Sequence, residues 1–230
     1  MQKAQIKKIA IQGFRGSFHE EAARKYFGAD IDFFFCETFK ELFSVMDRNA
    51  ADYAVMAIEN TVAGTILPNH AMLRQSRMKV IGEIYLPIQQ NLLALKGQKI
   101  EDIKEVHSHP MAILQCDDFF EKHPHIRLVE AVDTALSAEL IAKKQQQGMG
   151  AIASLTAAEI FDLQVLAPGI ETNKRNFTRF LVLTSAASTA VDVNPNKASV
   201  CFYDLPFPFK EICVKHLGNP NVMLLNSKIL

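Results

Sequence analysis

Short apolar runs alternate with amphipathic stretches along most of the chain. The run YAVMAIEN at residues 53–60 has the continuous apolar character of a buried strand, whereas TFKELFSVM at 38–46 places its apolar side chains three and four residues apart, as a helix does. The same alternation continues from residue 7 to residue 184. Strands that alternate with helices predict an α/β fold with mainly parallel sheets.

Several predicted helices begin at recognisable capping residues. Ser17 with Glu20, and Thr38 with Glu41, have the spacing of a capping box, in which a hydroxyl and a carboxylate bind free N–H groups of the first turn. Pro110 stands where a proline is tolerated in a first turn. These signals place helices directly after predicted strands.

Composition narrows the possible function classes. The 230 residues allow one large domain or one domain with a small appendage, and 25 basic residues balance 25 acidic ones. This balance gives no electrostatic footprint for nucleic acid or an anionic membrane. We expect no signal peptide, and no run reaches the roughly 18 apolar residues of a membrane span. The four cysteines form no CxxC pair, which predicts reduced thiols and a cytoplasmic location.

Polar and small residues follow four of the predicted strands. In open α/β sheets ligands bind at the carboxyl ends of the strands, and helix N-termini there offer free N–H groups to anions. The glycine-rich motifs of nucleotide sites are absent from the sequence. The pattern therefore predicts a compact carboxylated ligand. The four segments are GFRGS at 13–17, ENTVAG at 59–64, HSHP at 107–110 and AS at 153–154.

The segment KRNFTRFLVL at 174–183 is an unusual predicted strand, because it carries polar groups on both faces at its start. Side chains alternate across a strand, so Asn176 and Thr178 share one face while Phe177 and Arg179 share the other. A buried polar group without a partner costs about 1–3 kcal/mol. We therefore expect these groups to meet each other, other polar groups or a ligand.

Taken one at a time, these residues also have structural interpretations. Gly13, Gly16 and Ser17 could form only a turn and a helix cap, and Glu59 with Asn60 could cap a helix. Local sequence leaves both interpretations open.

The same holds for the remaining candidates. His107 and His109 have metal-ligand spacing, but no third ligand is evident, which disfavours a metal site. Gln115 lies on an amphipathic helix and could face solvent. Arg179 could pair with a structural carboxylate.

Taken in order, five segments resemble prephenate dehydratases, enzymes of phenylalanine biosynthesis. The resemblance covers residues 8–184, and the Thr-Arg-Phe tripeptide at 178–180 is its most specific part. It implies a catalytic domain over 1–185 with two α/β lobes and a cleft between them, like a type 2 periplasmic ligand-binding protein. Lobe 1 would comprise about 1–80 and 170–185, and lobe 2 about 81–169. The five segments are GFRGSFHEEAA, YAVMAIENTVAG, VHSHPMAILQC, GAIASLTAAEIF and NFTRFLVL.

The resemblance implies the conversion of prephenate to phenylpyruvate, carbon dioxide and water, with no cofactor and no metal because aromatisation drives the reaction. Thr178 would polarise the departing hydroxyl, and Asn60 and Gln115 would complete the catalytic set. Glu59 would be a general acid only if burial raised its pKa, and would otherwise orient Asn60 or a water. The implied substrate contacts are Gly13, Gly16, Ser17, Thr61, Ser108, Asn176, Phe177 and Arg179, with Arg179 or the helix N-termini near Ser17 and Thr61 holding a carboxylate.

The last part of the chain departs from the family pattern. After a predicted linker at 186–196, residues 197–230 begin with KASVCFYDLP, which resembles the first strand of an ACT regulatory domain. The Gly-Ala-Leu and Glu-Ser-Arg-Pro motifs that bind phenylalanine in that domain are not readable here. We expect a truncated or divergent ACT-like segment, little feedback by a phenylalanine effector, and assembly as a homodimer or homotetramer.

Two other functions fit the same residues. A non-catalytic cytoplasmic sensor could use the two-lobed scaffold to bind an aromatic acid without turning it over, since a fold does not fix a function. An arogenate dehydratase would keep the chemistry and change the contact to the substrate's side chain. Formation of phenylpyruvate from prephenate distinguishes the enzyme from the sensor.

Overall fold

The computed structural model describes residues 6–185, so the predicted linker at 186–196 and the ACT-like segment at 197–230 lie outside the described residues. The described part contains two sheets with helices packed on them, which confirms the α/β prediction. The expectation of mainly parallel sheets was wrong, because both sheets are mixed and antiparallel strands join each of them. The strands are β1 (Lys7–Gln12), β2 (Ile31–Cys36), β3 (Tyr53–Asn60), β4 (Gly64–Thr65), β5 (Lys79–Pro87), β6 (Asn91–Ala94), β7 (Glu105–Ser108), β8 (Arg127–Glu130), β9 (Met149–Ala153), β10 (Gln164–Ala167) and β11 (Phe177–Thr184). The helices are α1 (Phe18–Phe27), α2 (Phe39–Asp47), α3 (Leu67–Gln75), α4 (Pro110–Leu114), α5 (Asp117–Glu121), α6 (Thr134–Lys144) and α7 (Leu155–Ile160), with a 3₁₀ turn at Ile100–Asp102.

The first sheet has the strand order β2-β1-β3-β11-β5, with β4 paired to β3. Strands β2, β1 and β3 are parallel, as expected for strands joined by helices. Strand β11 runs antiparallel between β3 and β5. The segment that carries the Thr-Arg-Phe tripeptide is therefore a central strand of this sheet, although it lies more than a hundred residues from β3 in sequence.

The second sheet has the order β10-β6-β9-β7-β8. Strands β9, β7 and β8 are parallel, while β6 and β10 add antiparallel pairs at one side. The chain enters this sheet once, after β5, and leaves it once, before β11. The two lobes are thus joined by two crossing segments, residues 88–90 and 168–176.

The two crossing segments run side by side. Ile88 N donates to Asn176 O at 2.8 Å, and Ile170 N donates to Gln90 O at 2.7 Å. The predicted lobe boundary near residue 80 needs correction, because β5 pairs with β11 from Lys79 to Pro87 and belongs to the first sheet. That pairing joins strands about a hundred residues apart, so local sequence does not reveal it.

Each sheet has apolar side chains packed on both faces. In the first sheet, Ile11 and Phe180 pack with Ala22 of α1 on one face, while Leu42 and Met46 of α2 fill the other. The capping predictions are confirmed at the starts of α1 and α2, where the Ser17 and Thr38 hydroxyls accept hydrogen bonds from N–H groups of the first turn. Within residues 6–185, no helix combines the length and apolar character needed to cross a membrane.

Candidate active site

Thr178 and Asn60 lie directly opposite each other on β11 and β3. Asn60 Nδ2 donates a hydrogen bond of 2.9 Å to Thr178 Oγ1. Thr178 is only 8% exposed, so this contact satisfies a hydroxyl that has little access to water. The polar start of β11 is therefore explained by the polar end of β3, which meets it within the first sheet.

The Asn60 amide has a defined orientation. Its Oδ1 accepts hydrogen bonds from the backbone N–H groups of Val62 at 2.9 Å and Ala63 at 2.7 Å. Because the oxygen is held by two backbone donors, Nδ2 must point the other way, where it reaches Thr178 and also Asn176 Oδ1 at 2.7 Å. The loop after β3 thus aims the amide donor of Asn60 at the start of β11.

Asn176 carries the hydrogen-bond network from the first lobe into the second. Its Nδ2 donates to Gln115 Oε1 at 3.0 Å, and Gln90 Nε2 donates to the same oxygen at 3.2 Å. Asn176 is 2% exposed. A continuous line of side-chain amides therefore joins Thr178 to Gln115. Sequence reasoning missed Gln90, because an isolated glutamine between two predicted strands belongs to no motif.

A β-bulge precedes Asn60 and sets its direction. Arg179 pairs with Glu59 while Phe180 pairs with Ala57, so β3 has one extra residue at this point. Bulges of this kind re-aim the side chains that follow them and are common beside active sites.

Two side chains hold the bulge through the backbone of Ala57. The Ala57 N–H donates to His19 Nε2 at 3.3 Å, and Asn69 Nδ2 donates to Ala57 O at 2.7 Å. His19 also packs edge-to-face on Phe180, with ring centroids 5.0 Å apart, and burial lowers its pKa to about 4. The neutral imidazole can therefore accept the Ala57 hydrogen bond near neutral pH. Sequence reasoning did not single out His19 or Asn69, because neither belongs to a recognisable motif.

The glycine-rich loop before α1 contacts the second lobe. Ser154 Oγ donates to Gly16 O at 2.6 Å, and a Cβ atom at Gly16 would lie 2.9 Å from Ala157 Cα. Gly16 also has φ +84°, a conformation that favours glycine. Gly13, with φ +102°, lies beside the Asp133 carboxylate of the second lobe. The two glycines thus permit close contact between the lobes.

The serines at the two helix N-termini are engaged as caps. Ser17 Oγ accepts from Glu20 N at 3.3 Å, and Ser154 Oγ accepts from Ala157 N at 3.0 Å. Glu20 also accepts a hydrogen bond from Gly16 N at 2.8 Å. In this conformation, Ser17 therefore stabilises the start of α1, and its substrate contact stays a prediction.

Two cavities flank Asn176 between the lobes. The larger has a volume of about 330 Å³ and the smaller about 150 Å³, and Glu171 and Asn176 line both. Gln115 lines the smaller cavity. The remaining residues of the larger cavity are Phe18, Glu21, Pro87, Ile88, Gln89, Leu155 and Lys174.

Lys174 is the cation that lines the larger cavity, and the sequence analysis did not select it. Its Nζ lies 3.6 Å from Glu171 Oε1 and donates to Glu171 O at 2.6 Å. Glu21 of α1, in the first lobe, lines the same cavity, and burial raises its pKa. The sequence signal for this carboxylate-binding group was the lysine that opens the polar segment KRNFTRF, three residues before β11 begins.

Arg179 lies on the face of β11 opposite to Thr178, as strand alternation predicts. Its Nε donates to Glu83 Oε2 at 2.9 Å, and its Nη1 lies 3.4 Å from Glu59 Oε2. This geometry favours a structural role for Arg179 over the predicted contact with a substrate carboxylate. Glu59 of β3 forms an ion pair with Arg179, on the face of the sheet that points away from the Thr178 hydroxyl.

The remaining predicted contacts lie in different settings. Ser108 is fully buried and donates from Oγ to Ile152 O at 2.7 Å, which ties β7 to β9. Thr61 Oγ1 donates to Arg175 O at 2.7 Å and accepts from Phe177 N at 2.9 Å, so it fixes the start of β11. The Phe177 side chain is 39% exposed.

The two histidines around Ser108 have local partners. His109 Nδ1 accepts from Met111 N at 3.2 Å and caps α4, while His107 Nε2 lies 3.2 Å from Glu105 Oε2. In the described ranges, no three His, Cys, Asp or Glu residues are grouped so that they could hold a metal ion.

The family model for prephenate dehydratase matches residues 9–188. The chain is 39% identical to arogenate dehydratase 2 of Petunia hybrida over 227 residues, which is 97% of this chain and 57% of the relative. It is 34% identical to the bifunctional chorismate mutase/prephenate dehydratase of Aquifex aeolicus over 199 residues, covering 85% of this chain and 53% of the relative. The chain therefore spans little more than half the length of these curated relatives.

A solved structure agrees with these matches. The crystal structure of prephenate dehydratase from Arthrobacter aurescens in complex with L-Phe superposes with a TM-score of 0.70 and 27% identity. The match covers 79% of this chain and 61% of that one. The line of side chains from Thr178 through Asn60 and Asn176 to Gln115 lies within the matched family domain. The chain therefore belongs to the prephenate dehydratase family.

Proposed function

We propose that this protein converts prephenate to phenylpyruvate, carbon dioxide and water, as a carbon–oxygen lyase. The observation that carries the proposal is the hydrogen bond from Asn60 Nδ2 to Thr178 Oγ1. Because the oxygen already accepts from Asn60, the hydroxyl hydrogen of Thr178 is free to be directed at another acceptor. A substrate hydroxyl beside Thr178 would be such an acceptor.

The chemistry balances without an oxidant or reductant. Cleavage of the bond between the ring and its carboxylate carbon releases carbon dioxide and sends the electron pair into the ring. The ring then expels its hydroxyl group as hydroxide, which takes up one proton from solvent and becomes water. Thr178 polarises this leaving oxygen through a hydrogen bond that strengthens as negative charge develops on it. A threonine hydroxyl is too weak an acid to supply the proton outright.

The substrate carries two carboxylates, whereas the charged residues that line the larger cavity are Glu21, Glu171 and Lys174, so among them positive charge comes from Lys174. We assign the side-chain carboxylate to Lys174, which lines the larger cavity. Gln115 Nε2 would donate to an uncharged or partly charged substrate oxygen, since Gln115 Oε1 already accepts from Asn176 and Gln90. A site built mainly from neutral donors suits a reaction in which the ring carboxylate becomes neutral carbon dioxide while negative charge develops on the leaving hydroxyl oxygen.

Access to Thr178 requires some opening of the cleft. Thr178 is 8% exposed and the larger cavity reaches Asn176, two residues away along β11 and its entry. The contact between Gly16 and Ser154 closes the lobes on one side. We propose that prephenate enters while this contact is open, and that its closure then excludes water from the site.

The direct test is to incubate the purified protein with prephenate and follow the absorbance of phenylpyruvate in alkali. Enzyme-dependent formation is expected. Binding of prephenate without turnover would favour the aromatic-acid sensor instead, and turnover of arogenate but not prephenate would favour an arogenate dehydratase. Running both substrates in parallel with a boiled-protein control separates these outcomes when phenylalanine is measured beside phenylpyruvate, because arogenate carries an amino group in place of the keto group and would give phenylalanine.

The cellular setting completes the proposal. We propose that the protein acts in phenylalanine biosynthesis, in the cytoplasm, as a homodimer or homotetramer with weak or no feedback by phenylalanine. The weak feedback is supported by residues 197–230, in which the Gly-Ala-Leu and Glu-Ser-Arg-Pro motifs that bind phenylalanine are not readable. Sedimentation with and without added phenylalanine measures both the assembly state and any response to the effector.

A further inference from the structure

Two side-chain donors hold the amide oxygen of Gln115. Gln115 Oε1 accepts from Asn176 Nδ2 at 3.0 Å and from Gln90 Nε2 at 3.2 Å. An amide oxygen has two lone pairs, so these contacts satisfy it and leave Nε2 as the end that can serve a ligand. Asn176 belongs to the predicted site, whereas Gln90 lies on the other crossing segment and has no assigned role.

The backbone of Gln90 is held on both sides. Gln90 N donates to Glu171 Oε2 at 2.8 Å, and Gln90 O accepts from Ile170 N at 2.7 Å. The residue is 3% exposed. Because its backbone is already fixed, the Gln90 side chain can orient a neighbouring side chain with little further loss of conformational entropy.

The side-chain amide of Gln90 is paired at its nitrogen but not at its oxygen. Within residues 6–185, its buried Oε1 has no hydrogen-bond partner. Rotating the Gln90 amide by half a turn would place its oxygen against Gln115 Oε1, and two acceptors would then face each other. The hydrogen bond to Gln115 therefore keeps Gln90 Oε1 in its unpaired position. An apolar side chain of similar length would avoid the unpaired acceptor, and a glutamine here therefore stabilises something other than the fold.

We propose that Gln90 is a positioning residue of the dehydratase site, and that it holds the Gln115 amide with Nε2 presented to the substrate. This inference rests on the proposed function. It gives the first crossing segment, residues 88–90, a role in the dehydratase site. Gln90 acts on the substrate through Gln115 and does not touch the substrate itself. A side chain that served stability alone would have no reason to leave its own acceptor unpaired.

A double-mutant cycle tests the proposal with prephenate as substrate. Gln90→Met should lower kcat/KM by roughly three- to tenfold, the effect of one lost hydrogen bond, while leaving Tm unchanged or higher. In a Gln115→Met background, the same change should alter kcat/KM by less than about twofold, because the two residues act as one unit. Gln90→Leu should reproduce the result of Gln90→Met.

Two further variants make the outcome specific. Gln90→His keeps an N–H donor at a similar reach and should restore most of kcat/KM. Gln98→Met is the matched control, because Gln98 is also buried but bonds to Leu95 O and Gly148 N in the second lobe. It should lower Tm and leave kcat/KM unchanged.

The possible failures are distinguishable. Additive effects of Gln90→Met and Gln115→Met on kcat/KM, or a lower Tm with unchanged kcat/KM in Gln90→Met, would overturn the role of Gln90 in an otherwise active enzyme. A wild-type protein that does not turn over prephenate would overturn the proposed function itself, and with it the assignment of Gln90.

Discussion

Asn60 Nδ2 lies 2.9 Å from Thr178 Oγ1, across the boundary between β3 and β11. This hydrogen bond joins residues 118 positions apart in sequence. It defines which lone pair of the threonine is occupied and so where its proton can go. The contact makes the Thr178 hydroxyl a directed donor, and the first prediction follows from it.

Thr178→Val removes the hydroxyl and keeps nearly the same shape. We expect kcat on prephenate to fall by roughly 10²–10³-fold, the usual effect of removing one hydrogen-bond donor to developing negative charge, with little change in Tm. Thr178→Ser keeps the hydroxyl and should retain most of the activity. Steady-state kinetics and thermal unfolding measure both quantities. Turnover near the wild-type rate in Thr178→Val would remove the hydroxyl from the mechanism.

His19 makes stability depend on acid pH. Its pKa is lowered from 6.5 to about 4 by burial, so the unfolded chain binds a proton at His19 more readily than the folded one. Its contribution is complete above pH 6.5 and is lost as the pH falls toward 4. Near pH 5 the loss should be about 2 kcal/mol.

The matched variant for this prediction is His19→Gln, whose amide oxygen can still accept from Ala57 N. The free energy of unfolding of the wild-type protein should fall more between about pH 7 and pH 5 than that of the variant. Urea unfolding at each pH measures the difference. Parallel curves for the two proteins would show that His19 is not buried in its neutral form.

Gly16→Ala should disturb the contact between the lobes. A new Cβ would have to move Ala157 of α7, and the backbone with φ +84° disfavours alanine. We expect a loss of unfolding free energy above the roughly 1–2 kcal/mol of left-handed strain alone, together with a lower kcat/KM. Gly97→Ala is the control, because Gly97 has φ +86° with open space around it. Equal losses of unfolding free energy in the two variants would show that the close approach of Gly16 to Ala157 adds nothing to stability.

Arg179→Met should affect stability more than substrate binding. It leaves Glu59 and Glu83 without their shared cation on the face away from Thr178, and we expect a loss of about 1–3 kcal/mol in unfolding free energy. KM for prephenate should change by less than about threefold, whereas Lys174→Met should raise KM by roughly tenfold or more, as loss of a charge-assisted contact does. A larger rise in KM for Arg179→Met than for Lys174→Met would restore Arg179 as the carboxylate-binding residue.

The parts of the fold that local sequence predicts are those with local causes. Ser17 and Thr38 cap their helices, because each acts on an N–H group within three residues. The opposite faces of Thr178 and Arg179 follow from strand alternation alone.

The rest depends on contacts between distant segments. The extra residue in β3 is visible only from its register with β11, and nothing near His19 or Asn69 in sequence indicates that they hold it. Gln90 was missed for the same reason, since its partner Gln115 lies in the other lobe. The resemblance supplied Thr178, Asn60, Asn176 and Gln115 as site residues, and the structure supplies the hydrogen bonds that connect them.

The position of β11 has a consequence for synthesis of the protein. In the described part of the chain, β5 pairs within the first sheet only with β11. Strand β11 follows β3 by more than a hundred residues in sequence. During translation the amino-terminal lobe must therefore wait, with β5 unpaired, until residue 184 has left the ribosome. The other lobe is continuous from Asn91 to Ala167 and is ready earlier, so the half of the molecule made first is completed last.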